Sequence, residues 1–165
     1  MRPELAIAVF ISVALLSLTA CRAPAETAVD DVPSLEGDFE RATLTIESDD
    51  GLRHEFDVYL ANTPDQQRRG LMFVREMPET TGMLFTYQDT AYHSMWMKNT
   101  YISLDLIFAR LDGSISSVIH AAQPLSLTSR GSIEPVNYVL ELNAGVARKL
   151  HIGNRSRLIL NAGGD

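Results

Sequence analysis

The chain has 165 residues and a formal net charge of -7; once a leader and a linker are subtracted, about 125 residues remain, room for one domain with one real hydrophobic core. Residues 22 to 40 carry Glu26, Asp30, Asp31, Glu36, Asp38 and Glu40 against Arg22 alone, a net of -5; Arg2 and Glu4 cancel, which leaves -2 for residues 41 to 165. A near-neutral domain without a basic stripe has little to displace counterions from a phosphate backbone, so nucleic acid is not an expected partner, and a single cysteine excludes an intramolecular disulfide and any C-x-x-C zinc or thiol-redox site.

The first segment explains that cysteine. Arg2 supplies a positive start, Leu5 to Leu18 is an apolar run of 14 residues, and Leu18-Thr19-Ala20-Cys21 follows. This is the charged, apolar and small-residue order of a secretory signal, too short for the roughly 20 residues that span a bilayer. Leu18 at the third position before Cys21, with small Thr19 and Ala20 between, resembles the lipobox. The resemblance implies alkylation of the Cys21 thiol by a diacylglyceryl group, cleavage after Ala20 and acylation of the new amino terminus. Several chains are needed because one acyl chain binds a membrane only marginally. Residues 1–20 are therefore expected to be a lipoprotein signal peptide. Arg22 is not the Asp that typically follows the cysteine of lipoproteins kept in the inner membrane, so the expected address is the outer membrane of a bacterial cell envelope, facing the periplasm.

From Arg22 to about Asp38 the chain is Ala, Pro, Thr, Val and acids without periodicity, a composition that cannot bury enough apolar area to offset its conformational entropy. Residues 21–40 are read as the lipidated cysteine and a disordered acidic tether that would hold the domain roughly 20 to 25 Å from the bilayer. Residues 41–162 are read as a single β-rich domain.

Within it the pattern turns to period two. Leu44 and Ile46 alternate with polar neighbours, then Phe56, Val58 and Leu60 do the same, and Asp49-Asp50-Gly51 lies between them as a hairpin turn. Thr63-Pro64-Asp65 predicts a helix start with threonine as cap and proline at the first helical position, and Gly70 ends the helix. Strand-like runs recur at 83–87, 92–97, 104–109, 115–120, 138–142 and 158–160, with Asp112-Gly113 as a second hairpin turn and a short helix from about Ala144 to Leu150. These elements predict an α+β fold, mostly β: a small curled antiparallel sheet or partly open β-barrel with two short helices.

Gly70-Leu71-Met72, Gly82-Met83-Leu84-Phe85, Trp96-Met97-Lys98-Asn99-Thr100, Leu104-Asp105, Phe108, Asp112-Gly113, Pro124 and Val139-Leu140-Glu141-Leu142-Asn143-Ala144-Gly145 resemble, in order and spacing, the domain-of-unknown-function 192 family. The resemblance runs from about Thr43 to Leu160. It implies a single small β-barrel-like domain, often exported, without an established biochemical activity, and it brings no catalytic residues to carry over. Ser103 stands where proline commonly precedes Leu-Asp, Asn143 where proline precedes Ala-Gly, and Asn154 where an acid often follows Gly153. All three fall at turns or strand ends, where they bear on loop geometry rather than on the fold.

The most suggestive cluster is Trp96, Lys98, Asn99 and Thr100 with Asp105 shortly after. On a strand, Trp96, Lys98 and Thr100 would share one face, so an aromatic surface, an ammonium and a hydroxyl could line a cleft for a polar or sugar-like ligand. The competing account makes Trp96 and Met97 core filler, with the Lys98 stem laid across them and Asn99-Thr100 in an Asx-type turn. Asp105 and Glu141 are acids inside Leu-Asp-Leu-Ile-Phe and Val-Leu-Glu-Leu. A carboxylate there must be paired, hydrogen-bonded or raised in pKa, and a raised pKa is what a general acid needs. About 5 to 9 Å apart they could act as a glycosidase pair; otherwise they pair with Lys98, Arg110 or backbone amides.

His54, His93, His120 and His151 show no ligand spacing and lie on different predicted elements, so no metal site is expected. Met72, Met77, Met83, Met95 and Met97 crowd one third of the chain. They could bind copper(I) or a greasy partner, but adaptable core packing is the preferred reading. With no G-x-G-x-x-G and no phosphate-cradling loop, no cofactor is expected. The leading expectation is a non-catalytic envelope lipoprotein that binds a small ligand or envelope partner near 96–105. Its rivals are a glycan-directed hydrolase using Asp105 and Glu141, and a structural module that docks a partner through an exposed apolar patch.

Overall fold

The computed structural model describes residues 35–160. The expected signal peptide, Cys21 and the expected tether as far as residue 34 lie outside the described residues. The tether's last residues, however, belong to the domain: Phe39 is buried edge-on against Tyr59, and Glu36 accepts the Tyr59 hydroxyl at 2.8 Å. One apolar ring amid the acids is enough to anchor this stretch. The ordered part thus begins at least six residues before the expected boundary at 41.

Nine strands and two helices follow in the order β1 (Glu40–Glu47), β2 (Arg53–Ala61), α1 (Pro64–Arg69), β3 (Thr81–Ala91), β4 (Ser94–Met95), β5 (Leu104–Ala109), β6 (Ile115–Ala122), β7 (Arg130–Gly131), β8 (Val136–Asn143), α2 (Val146–Lys149) and β9 (Arg157–Leu160). Seven of them form one strongly curled sheet, a half-barrel of order β6-β5-β8-β3-β2-β1-β9, while β4 and β7 pair separately. The fold is mostly β with two short helices, as expected. All neighbours are antiparallel except β2 and β3, which run parallel because α1 and the segment after it carry the chain back across. The expected strand over 92–97 shrinks to Ser94–Met95, and its partner β7 was not anticipated: two residues, one of them glycine, leave no readable period.

The local chemistry is legible element by element. Thr63 caps α1: its hydroxyl accepts from the Gln66 N–H, while the Gln66 side chain accepts from the Thr63 N–H, a reciprocal capping box. The β1–β2 hairpin turns on Gly51 and the β5–β6 hairpin on Gly113, each with φ +82°.

Side-chain alternation divides the core into two layers. Leu44, Ile46, Val58, Leu84, Ile107, Leu140 and Leu158 fill the inside of the curl, covered at one end by Val146 and Ala147 of α2. Met83, Phe85, Leu106, Phe108 and Val139 form the outer face, covered by Leu71, Met95 and Met97 from the connecting segments. Three of the five clustered methionines therefore serve as packing, with Met77 against them.

The free edges of the sheet, β6 and β9, meet at one end only. Ser114 and Arg157 bridge, the Ile115 N–H donates to Ser156 O at 3.0 Å, and the Leu158 N–H donates to Gly113 O at 2.8 Å. A Cβ on Gly113 would stand 2.2 Å from that same Leu158 region, against its carbonyl oxygen. Gly113→Ala is accordingly expected to open this seam and to lower the unfolding free energy by at least ~2 kcal/mol, from positive-φ strain and the backbone clash together, measured by urea titration of the wild type and the variant.

Candidate functional site

Asp105 and Glu141 sit on neighbouring central strands, yet the register separates them. Asp105 faces Leu142 and Glu141 faces Leu106, so adjacent positions put the two carboxyl groups on opposite faces of the sheet. Asp105 points into the inner layer, where it is fully buried: Oδ1 accepts the Ala121 N–H at 2.9 Å, and Oδ2 accepts the Gly145 and Ala147 N–H groups at 2.9 and 3.0 Å. Of the partners considered for it, backbone amides are the ones the fold provides. Ala121, at φ +50°, is the extra residue of a β-bulge opposite Asp105, and Gly145, at φ +91°, is the N-cap of α2, which lacks a side-chain cap of its own. The paired-carboxylate arrangement of a glycosidase is therefore not assembled, and Asp105 does not join the Trp96 cluster.

Glu141 points to the outer face and meets that cluster instead. It forms the floor of a narrow cleft whose walls are Arg69, Gly70 and Met72 at the end of α1 on one side and Met95, Trp96, Lys98 and Thr100 on the other. Trp96, Lys98 and Thr100 share one side as alternation suggests, although they ride an extended segment and a turn rather than a strand. Met97, between them, is buried in the core, whereas Trp96 is 50% exposed and carries the Lys98 ammonium 5.1 Å above its ring. Asn99 does not enter the cleft. It takes the left-handed turn position at φ +55°, its carbonyl accepts the Phe73 N–H at 2.7 Å, and its amide lies 3.9 Å from the Met72 sulfur. Its role is to clamp the two walls together.

The electrostatics of the floor are unusual. Glu141 is only 4% exposed, and among the described residues its carboxyl has no hydrogen-bond or ion-pair partner. Burial alone pushes its pKa up to about 8. The adjoining Tyr87 is pushed up to about 12, first by burial and then by the charge on Glu141. Its hydroxyl points to the Met95 sulfur at 3.9 Å, and its ring stacks on His93 at 3.5 Å. The Glu141 carboxyl is thus held mainly in its neutral, donating form at pH 7. Among the described residues no three His, Cys, Asp or Glu side chains gather as a metal site.

A larger cavity of about 470 Å³ opens at the end of the half-barrel where β6 and β9 do not meet, lined by Leu44, Val58, Leu60, Leu84, Tyr138 and Leu160, with Thr43, Asn62, Thr86 and Gln88 among its polar walls. Among the described residues it is lined by no carboxylate, amine or imidazole. Sequence reasoning named both Glu141 and the Trp96 segment but assigned them to rival schemes. The one-residue offset between β5 and β8, which decides which acid faces the tryptophan, is set by tertiary pairing.

Fold and site together define a half-barrel domain with a buried acid, unpartnered among the described residues, beneath an aromatic and cationic rim. The chain belongs to the domain-of-unknown-function 192 family of uncharacterised proteins, whose model matches residues 44–160. Among solved structures it is similar to a protein of Sinorhizobium meliloti 1021 described provisionally as a transcription regulator (40% identity over 73% of this chain and 94% of that one, TM-score 0.72). It is also similar to a protein of unknown function from Novosphingobium aromaticivorans DSM 12444 (32% identity, 75% and 88% coverage, TM-score 0.72). No functionally curated protein matches the chain significantly.

Asp105→Ala would leave three N–H groups without their acceptor, two of them at the cap of α2. At about 1 to 3 kcal/mol for each buried donor left unsatisfied, with water reaching some of them, a loss of at least ~3 kcal/mol is expected in chemical denaturation.

Proposed function

We propose that this chain is a lipid-anchored binding domain of the bacterial cell envelope, held through acyl chains on Cys21 at the outer membrane and facing the periplasm, and that its cleft over Glu141 captures a small polar ligand without chemical conversion. The observation that carries the reading is Glu141 itself. A buried carboxyl without a partner among the described residues is a standing energetic cost, and folds keep such groups where a ligand completes them. The exposed indole of Trp96 and the Lys98 ammonium on it add contact area and charge at the entrance. Binding without conversion is favoured over hydrolysis because the second acid that a glycosidase needs is committed to backbone amides on the other face of the sheet. The regulator description of the Sinorhizobium protein finds no support in the charge of this domain, which is near neutral and lacks a basic stripe.

Two experiments test the two halves of the proposal. A Cys21→Ser precursor is expected to lose palmitate labelling and to remain at precursor size; normal labelling and processing would refute the lipid anchor. A thermal-shift screen of small polar compounds on the detergent-solubilised full-length protein is expected to find stabilising ligands. Trp96→Ala should abolish their effect while leaving the ligand-free midpoint within about 4 °C, since the side chain is half exposed. Unfolding of the variant instead would return Trp96 to a packing role.

A further inference from the structure

The groups that face Glu141 define the kind of ligand it receives. From α1 these are Arg68 and Arg69, from the 95–100 segment Lys98, and from β3 Tyr87; among the described residues no second carboxylate lines the cleft. Arg68 pairs with Asp65, Arg69 donates to the Gly70 and Met72 carbonyls, and Tyr87 points to the Met95 sulfur. Lys98 alone of the three cations lacks an acidic partner or a carbonyl acceptor among the described residues, and it rests on the Trp96 indole. An arriving amine or guanidinium would meet this cationic rim before reaching Glu141. The Thr100 hydroxyl donates to the Lys98 carbonyl at 3.3 Å, so it offers an incoming group only lone pairs. Two donors that line the same space are left: the Glu141 acid O–H and the Lys98 ammonium. That space has a volume of about 20 Å³, enough for one or two water-sized groups and too small for a sugar ring.

We infer that the cleft captures the carboxylate end of a small ligand, one oxygen accepting from Glu141 in its acid form and the other from Lys98, whose charge balances the single negative charge brought in. The inference rests on the cleft being the ligand site proposed above and adds the ligand's charge and its proton dependence. No bond is made or broken: Glu141 keeps its proton in the contact, and the ligand enters ionised. Because burial sets the Glu141 pKa at about 8 in the empty cleft, the free site is largely competent at pH 7 and must take up a proton from solvent above pH 8.

Trp96 is the one tryptophan of the chain, so its fluorescence and indole N–H resonance report on the cleft alone. The purified full-length protein in detergent is titrated with sodium acetate at constant ionic strength, and separately with methylammonium chloride, at pH 7 and pH 9. Acetate is expected to give a saturable change at Trp96, with an apparent Kd about tenfold higher at pH 9 than at pH 7. Glu141→Gln should flatten that pH dependence, and Lys98→Met should weaken acetate at least about tenfold at both pH values, a loss within the range for removing one charged hydrogen-bond partner. Unweakened acetate binding by Lys98→Met overturns the inference even if Glu141→Gln fails to fold, as does a wild-type Kd that ignores pH. Saturation by methylammonium, tightening as pH rises, would reverse the ligand's charge while keeping the cleft as a ligand site. If neither probe nor any screened compound perturbs Trp96, the ligand-site reading itself falls.

Discussion

Asp105 locks to the central strand β5 two features that strand pairing alone does not fix, the bulge of β6 and the start of α2. Its two oxygens accept N–H groups from the bulge of β6 and from the first residues of α2, so one side chain on β5 fixes a neighbouring strand and a helix 40 residues further along. The carboxylate does for α2 what an N-cap side chain does for an ordinary helix, because Gly145, chosen for its positive φ, has no side chain to offer. With α2 in place, Val146 and Ala147 close one end of the inner core. Two of the three family departures fit into this frame with polar contacts of their own: the Ser103 hydroxyl donates to Ala122 O at 3.0 Å, and the Asn143 amide donates to Met77 O at 2.6 Å. Each ties a strand end to an adjacent segment, as replacements for a rigid proline must if the turn is to keep its shape.

The division of labour between the two buried acids follows from this arrangement. Asp105 is saturated with backbone donors and serves the architecture; Glu141, one register step away and on the other face, is surrounded by methionine, phenylalanine and tyrosine and is left without a partner among the described residues. The same central pair of strands thus carries a carboxyl group whose contacts are complete within the fold and one whose contacts are open to an incoming molecule. His120 stays outside this arrangement: its Nδ1 lies 3.7 Å from Asp105 Oδ1, too far for a hydrogen bond, so the bulge amide is the donor that this oxygen accepts.

Much of the fold could be read from the chain because its signals are local. Asp49-Asp50-Gly51 and Asp112-Gly113 mark their hairpins, Thr63-Pro64 starts its helix, the alternation around Phe56 marks a half-buried strand, and the nearly continuous apolar run around Leu106 marks one covered on both faces. The parallel pairing of β2 with β3 is not local, and neither is the partnership of β4 with β7, where two residues carry no pattern. The site was half legible for the same reason. Alternation along Trp96, Lys98 and Thr100 groups three side chains that line one cleft, but whether Asp105 or Glu141 faces them depends on a strand register that no short motif contains.

The seam between β6 and β9 also bears on how the domain comes into being. β9 is the last of the described elements, and it pairs with β1 across more than a hundred residues, Leu44 opposite Leu160. While the chain is being synthesised, β1 can pair with β2, but its other edge stays open until Arg157–Leu160 has been made, and the inner core has no wall on that side. Such long-range closure is slow compared with hairpin formation. A nascent or truncated chain therefore presents Leu44 and Ile46 at an exposed strand edge, the kind of surface that chaperones hold and that aggregation exploits.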